Sequence, residues 1–131
     1  MLPPTGEHVL KQFHSTRKRY DEIGIDYYGS FTLFERHVTN INMMIYDRDD
    51  AAMTAKVRAL FKVLVEDAAR EGYREYRTHL SFMDQVAFTF DYNHNALLRL
   101  NETVKDALDP NGILAPGKQG IWPRAFRRRR A

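Results

Sequence analysis

The sequence predicts an α+β fold in which an antiparallel sheet carries helices on one face. Two patterns lead to this. Apolar residues recur with a helical period over 6–23 and again over 53–68, while between them, over 26–46, they alternate as in strands. Gly24, Asp49-Asp50, Gly72 and Asp109-Pro110 punctuate the joints, where helices start and stop.

Taken in order, the first helix is expected to begin after Thr5 as cap and to run to Ile23. It buries Leu10, Phe13 and Tyr20 and ends at Gly24. Residues 26–34 read as a strand with Tyr27, Phe31 and Leu33 on one face. Residues 37–46 read as a second strand; its Thr39, Ile41, Met43 and Ile45 point one way, Asn40 and Asn42 the other. The strongest helix follows, capped by Asp49 or Asp50, with Met53, Val57, Leu60, Phe61, Leu64 and Ala68 on one stripe up to Gly72. A short third strand is expected over 73–78. A helix then opens at Ser81, with Asp84 in capping-box position, and carries Phe82, Val86 and Phe90. The last helix spans about 95–108 and stops before Pro110, since the residue preceding a proline is pushed out of the helical region. The order is α-β-β-α-β-α-α, and so small a sheet leaves an edge open.

Composition narrows the function. The 131 residues suit one ordinary domain, and 44% hydrophobic with 28% charged residues is the balance of a soluble globular protein. No run of 18 apolar residues offers a membrane span, and Met1-Leu2-Pro3-Pro4-Thr5-Gly6 lacks a signal-peptide core. Without cysteine there is neither disulfide nor thiolate chemistry, which fits a reducing cytoplasm. The net charge of +3 comes from the end of the chain. Removing Arg124 and Arg127 to Arg130 leaves 15 basic against 17 acidic groups, a body charge of −2, so no specific nucleic-acid face is expected and the tail reads as solvated and disordered. No P-loop, dinucleotide glycine signature, nucleophile triad or metal-ligand set is present. His8 and His14, six residues apart on a helix, face too far apart to form a metal pair.

Two runs remain. Glu75-Tyr76-Arg77-Thr78-His79-Leu80 sets a phenol beside a guanidinium, a pair able to hydrogen-bond and neutralise an oxyanion. Spacing alone favours the plainer reading, a surface tyrosine next to an arginine paired with Glu75 or Asp84. The run Leu108-Asp109-Pro110-Asn111-Gly112-Ile113-Leu114-Ala115-Pro116-Gly117-Lys118 is a helix exit that delivers a lysine on a Pro-Gly bend.

Together these runs resemble the C-terminal end of the 4-phenol-oxidising flavoproteins, the family of vanillyl-alcohol oxidase, eugenol oxidase and the 4-cresol dehydrogenase flavoprotein. The resemblance extends over about 2–122 and is closest over 72–123. It implies that this chain corresponds to the last quarter of a longer enzyme. Residues 1–72 would be part of a substrate (cap) domain, a ferredoxin-like half; 73–123 would be the helical return segment of the FAD-binding domain; 124–131 would be an Arg-rich tail. By the same resemblance Tyr76 and Arg77 bind the substrate phenolate and serve catalysis. Arg77 and Lys118 face the flavin of a bound FAD and balance its charge during hydride transfer from the benzylic carbon. Ile41 walls the substrate cavity, although its apolar strand face reads equally as core. The histidine that commonly links FAD lies upstream of the matched region, and none of His8, His14, His37, His79 or His94 corresponds to it. Thr39-Asn40 stand where relatives usually carry two adjacent histidines. The aspartate base belongs to the FAD-binding domain, missing here or supplied in trans, so the chain alone is expected to be inactive and to self-associate. The rival readings are a small α+β binding or oligomerisation module and one subunit of a split flavoenzyme.

Overall fold

Gly6–Ile23 form helix α1, entered from an extended Thr5 and closed by Gly24, whose φ of 77° lets its N–H turn back onto Asp21 and Tyr20. The structure, a computed structural model, describes residues 1–127. Strands β1 (Tyr28–Leu33) and β2 (Val38–Met43) pair antiparallel, with Tyr28 opposite Met43, Ser30 opposite Ile41 and Phe31 opposite Asn40. Helix α2 (Ala51–Arg70) starts where the Asp50 carboxylate accepts the Met53 N–H at 2.9 Å. A short 3₁₀ turn, Leu80–Phe82, leads into helix α3 (Met83–Thr89), helix α4 (Tyr92–Leu108) follows, and two more 3₁₀ turns, Lys118–Gly120 and Arg124–Phe126, come after it. By compactness the chain divides into two units, Met1–Glu75 and Tyr76–Ala131.

In the first unit α1 and α2 close over the hairpin. Tyr20, Ile25, Val57 and Leu60 form one buried cluster; Leu2, Val38 and Tyr73 form a second, against which Phe31 and Ala68 pack. The helical stripe on α2 lands in this core as its period requires. Leu10 does not: it is exposed, as is Leu33. The hairpin also faces the other way from a simple apolar-inside reading. Phe31 and Val38 share the core-facing side with Asn40 and Asn42, whereas Ile41 and Met43 lie on the opposite, exposed side. On that side Asn40 donates to the Ser30 carbonyl at 3.1 Å and Asn42 donates to Asn40 at 2.9 Å, while the buried Asn42 Oδ1 has no hydrogen-bond partner among the described residues.

The third strand expected over 73–78 is absent from the described residues. That stretch is extended, but its Tyr73 N–H returns to the Ala68 carbonyl and its Arg74 carbonyl takes the Met1 amino group, so no ladder forms. The free edge of β2 is met instead by Leu2, which exchanges two backbone hydrogen bonds with Val38.

In the second unit Met83, Val86 and Leu98 are buried. The capping box expected at Ser81 does not close. His79 accepts the Ser81 N–H at 3.2 Å and caps the 3₁₀ turn, leaving Asp84 free for another partner. At the head of α4, Asn93, His94 and Asn95 are left-handed, with the Arg99 guanidinium donating to the carbonyls of Asn93 and His94, so the right-handed helix begins after Asn95. The expected tail is corrected at its start. Arg124–Phe126 form a 3₁₀ turn, and Arg127 donates to the carbonyls of Trp122 and Glu102 (both 3.0 Å) and to Asp106 (2.7 Å). Arg128 to Arg130, the rest of that expectation, lie outside the described residues.

Candidate functional site

Tyr76 and Arg77 sit on a bend rather than a strand, and that decides their geometry. Strand neighbours would point apart; on the bend the Arg77 guanidinium carbon lies 5.7 Å from the Tyr76 ring centroid. Both residues are exposed, Tyr76 by 47%. Among the described residues Arg77 makes no ion pair. Neither of the two partners a plain surface arginine would use pairs with it: Asp84 accepts the Trp122 indole N–H at 2.7 Å, and Glu75 is half-buried, its carboxyl pushed up to about 7 by burial while the nearby N-terminal ammonium pulls it down. The pair therefore presents a hydroxyl and an uncompensated cation side by side.

Lys118 is exposed on a turn built from left-handed residues: Ala115, Gly117, Gln119 and Gly120 all have positive φ. Two of the glycines are required by space. A Cβ on Gly117 would lie 2.5 Å from the Trp122 ring, and one on Gly120 would lie 2.5 Å from the Ala87 methyl and 3.2 Å from the Met83 carbonyl. The turn thus rests directly on α3, with the Gln119 N–H also directed at the Met83 sulfur at 3.3 Å.

The approach to this turn is fixed by Asp109, which is 6% exposed. Its two oxygens accept the N–H groups of Ile113 and Leu114 at 2.9 Å each, and Lys105 reaches the same carboxylate at 2.6 Å. That lysine, helped by the two amides, holds the Asp109 carboxyl below the usual carboxylate range. Asp84, Asp109, Trp122 and Arg127 were not found from the sequence as site-building residues. The Asp-Pro-Asn-Gly run, a carboxylate ahead of a tight exit, was the available signal for Asp109; nothing local marks the partners of Trp122 or Arg127.

Helix α3 connects the two sequence runs. The Tyr76-Arg77 bend leads through buried Thr78 and the Leu80–Phe82 turn into its N-terminal end, and the Lys118 turn packs on its Met83, Asp84 and Ala87. A phenol, a guanidinium and an ammonium are all donors, a set suited to a phenolate oxygen or to the electron-rich edge of a flavin ring. A pyrophosphate needs a glycine-rich turn opening a helix, and α3 and α4 are opened by Phe82 and Asp91 without side-chain caps or such a turn. The donors present are of the types that could meet one edge of a flavin, and the openings of α3 and α4 offer no site for its pyrophosphate. Ile41 belongs to the first unit, on the exposed face of the hairpin and 37% exposed.

Comparison with known proteins turns this geometry into a family. Residues 7–119 match the model of the C-terminal domain of FAD-linked oxidases, a span that contains Ile41, Tyr76, Arg77 and Lys118. The chain belongs to that family. The chain is 32% identical over 116 residues to the 4-cresol dehydrogenase [hydroxylating] flavoprotein subunit of Pseudomonas putida, covering 88% of this chain and 22% of that one. Among solved structures, the 4-ethylphenol oxidase of Gulosibacter chungangensis in its isoeugenol complex superposes with a TM-score of 0.92 at 42% identity, over 95% of this chain and 24% of that one. P-cresol methylhydroxylase with substrate bound gives a TM-score of 0.84 at 32% identity, over 89% and 22%. The FAD-linked oxidase domain therefore has the family's α+β fold, with a two-stranded antiparallel sheet and four α-helices among the described residues, and spans under a quarter of these relatives. Flavin is the cofactor that the family's full-length members are named for.

Proposed function

We propose that this chain is the C-terminal part of an FAD-dependent oxidoreductase that oxidises para-substituted phenols. Residues 1–72 serve as part of the substrate domain and 73–123 as the segment that returns to the FAD-binding domain. The observation that supports this most is the exposed Tyr76–Arg77 pair, with its guanidinium over the phenol ring and no ion pair among the described residues, in a chain 42% identical to a 4-ethylphenol oxidase.

The substrate phenol binds as its anion. The Tyr76 hydroxyl donates one hydrogen bond to the phenolate oxygen, and Arg77 supplies a fixed positive charge beside it. An ionised oxygen feeds electron density through the ring to the para carbon's substituent, which weakens the benzylic C–H bond as a hydride source. Bound FAD supplies the hydride acceptor. As charge leaves the substrate, Arg77 and Lys118 offer fixed donors where it arrives, so little reorganisation is needed at the moment of transfer. Ile41, an exposed apolar side chain in the first unit, is proposed as a cavity wall. The location is proposed to be cytoplasmic, with the FAD-binding domain in cis or in trans as the partner and no nucleic-acid or membrane role; no helix among the described residues is long and apolar enough to cross a membrane.

The test is a graft in which this chain replaces the matching segment of a full-length 4-ethylphenol oxidase. It should bind flavin and reduce it on addition of a para-alkylphenol. A folded, flavin-loaded graft that remains oxidised in the presence of such phenols would overturn the proposal.

A further inference from the structure

Lys118 lies on a turn whose backbone hydrogen bonds are all local. Four bonds, Lys118 N–H to Ala115, Gly120 N–H to Gly117, Gly117 N–H to Ile121 and Ile121 N–H to Lys118, close the turn within 115–121 without tying it to a helix. Its link from Gln119 to the Met83 sulfur uses a weak acceptor. A stronger tie is the Trp122 indole N–H donating to the Asp84 carboxylate at 2.7 Å, an ionised acceptor at the short end of the range. The Trp122 ring lies against Gly117, the residue just before Lys118, closely enough that no Cβ fits there. From the other side Arg127 holds the Trp122 carbonyl at 3.0 Å and fastens it to Glu102 and Asp106 of α4. Moving the indole therefore moves the turn.

We propose that Asp84 and Trp122 are positioning residues, a latch that seats the Lys118 turn on α3 and so fixes where the Lys118 ammonium stands relative to the Tyr76–Arg77 bend at the entry to that helix. Neither side chain needs to touch substrate or cofactor. The inference rests on the reading of Lys118 as a cofactor-facing cation. It adds that the ammonium's place is set by a bond four residues away in sequence and anchored on another helix. Displacing a reacting or stabilising group by about an ångström can cost on the order of 100-fold in rate, so a latch of this kind matters without taking part in the chemistry.

Two substitutions at Asp84 separate positioning from bulk stability. In the full chain, Asp84→Leu should alter the emission of Trp122, the single tryptophan, and speed amide exchange at Gln119 and Ile121 by about tenfold. Asp84→Asn keeps an acceptor oxygen and should restore both. Amides of α2 serve as the internal control and should exchange as in the parent. In the flavin-loaded graft, Asp84→Leu should slow flavin reduction about tenfold at saturating phenol, with no further loss when Lys118→Met is already present. The latch is overturned if the two losses multiply, if Asp84→Asn behaves as Asp84→Leu, or if exchange at Gln119 and Ile121 is unchanged. If Lys118→Met by itself leaves flavin reduction untouched, the assigned role of Lys118 fails instead, and the exchange and emission arms decide the latch alone.

Discussion

Glu75 shows how burial sets a residue's behaviour next to the Tyr76–Arg77 bend. Its carboxyl is raised from the ordinary 4.5 to about 7 because burial disfavours the anion more than the neighbouring N-terminal ammonium favours it. For a group whose folded value is raised, stability is fully present below about 4.5 and is lost as pH climbs through about 7, where the unfolded chain holds the charge more comfortably. Glu75→Gln should therefore match the parent in thermal unfolding near pH 4.5 and exceed it above neutrality, by on the order of 1 kcal/mol once solvent screening is discounted. Equal unfolding of the two proteins across that range would show that the carboxyl is not shifted. Arg77 differs in kind: its charge is exposed and makes no ion pair among the described residues, so its removal should cost the fold little and leave its cost to chemistry.

At the scale of elements, the caps test how local sequence holds the helices. Asp50→Ala deletes the acceptor for the Met53 N–H and should cost about 1 kcal/mol in chemical denaturation. Gly24→Ala and Gly117→Ala both place a side chain at positive φ, near 80°, but only the second collides, with the Trp122 ring. Gly24→Ala should cost about 1 kcal/mol, and Gly117→Ala clearly more; equal losses would contradict the packing of the Lys118 turn. The helices were legible in the sequence because each has a stripe with the right period and a recognisable end: Asp50 before α2, Gly24 after α1, Pro110 after α4. What was not legible depends on distant partners. The stretch 73–78 has strand-like composition but forms no ladder, because its Tyr73 N–H returns to Ala68 and its Arg74 carbonyl takes the Met1 amino group. Ile41 and Met43 face outward and the asparagines inward because Phe31 and Val38 pack on Leu2 and Tyr73, a choice alternation alone cannot make. Asp84 has the spacing of a capping box but bonds to an indole 38 residues away. The Tyr76-Arg77 run was visible as a pair; that both side chains share one side follows from the bend, which the strand reading hid.

At the scale of the molecule, each unit shows apolar surface. On α4 the stripe Leu97, Leu100, Val104 and Leu108 recurs at helical spacing and is exposed along its length, and Phe88 on α3 is exposed with it, whereas Phe82 and Phe90 are half-buried. Apolar patches of this kind drive association, so the isolated chain should sediment as more than a monomer and bind a hydrophobic dye; a monodisperse monomer that binds none would argue that the stripe is not a covered surface in the complete protein. The isolated chain should also carry no stoichiometric flavin after purification, since the donors proposed for the cofactor would meet only one edge of it. The claim on which the functional account turns is that Arg77 acts in the chemistry. It is measured most directly by single-turnover flavin reduction in the grafted oxidase at saturating para-alkylphenol. Arg77→Ala should slow that step by roughly 100- to 1,000-fold, as expected for a lost transition-state donor, while Tyr76→Phe, which loses one neutral hydrogen bond, should cost about 1 kcal/mol and mostly in phenol affinity. Reduction by Arg77→Ala as fast as the parent would contradict the account and return the pair to an exposed tyrosine beside a solvated arginine.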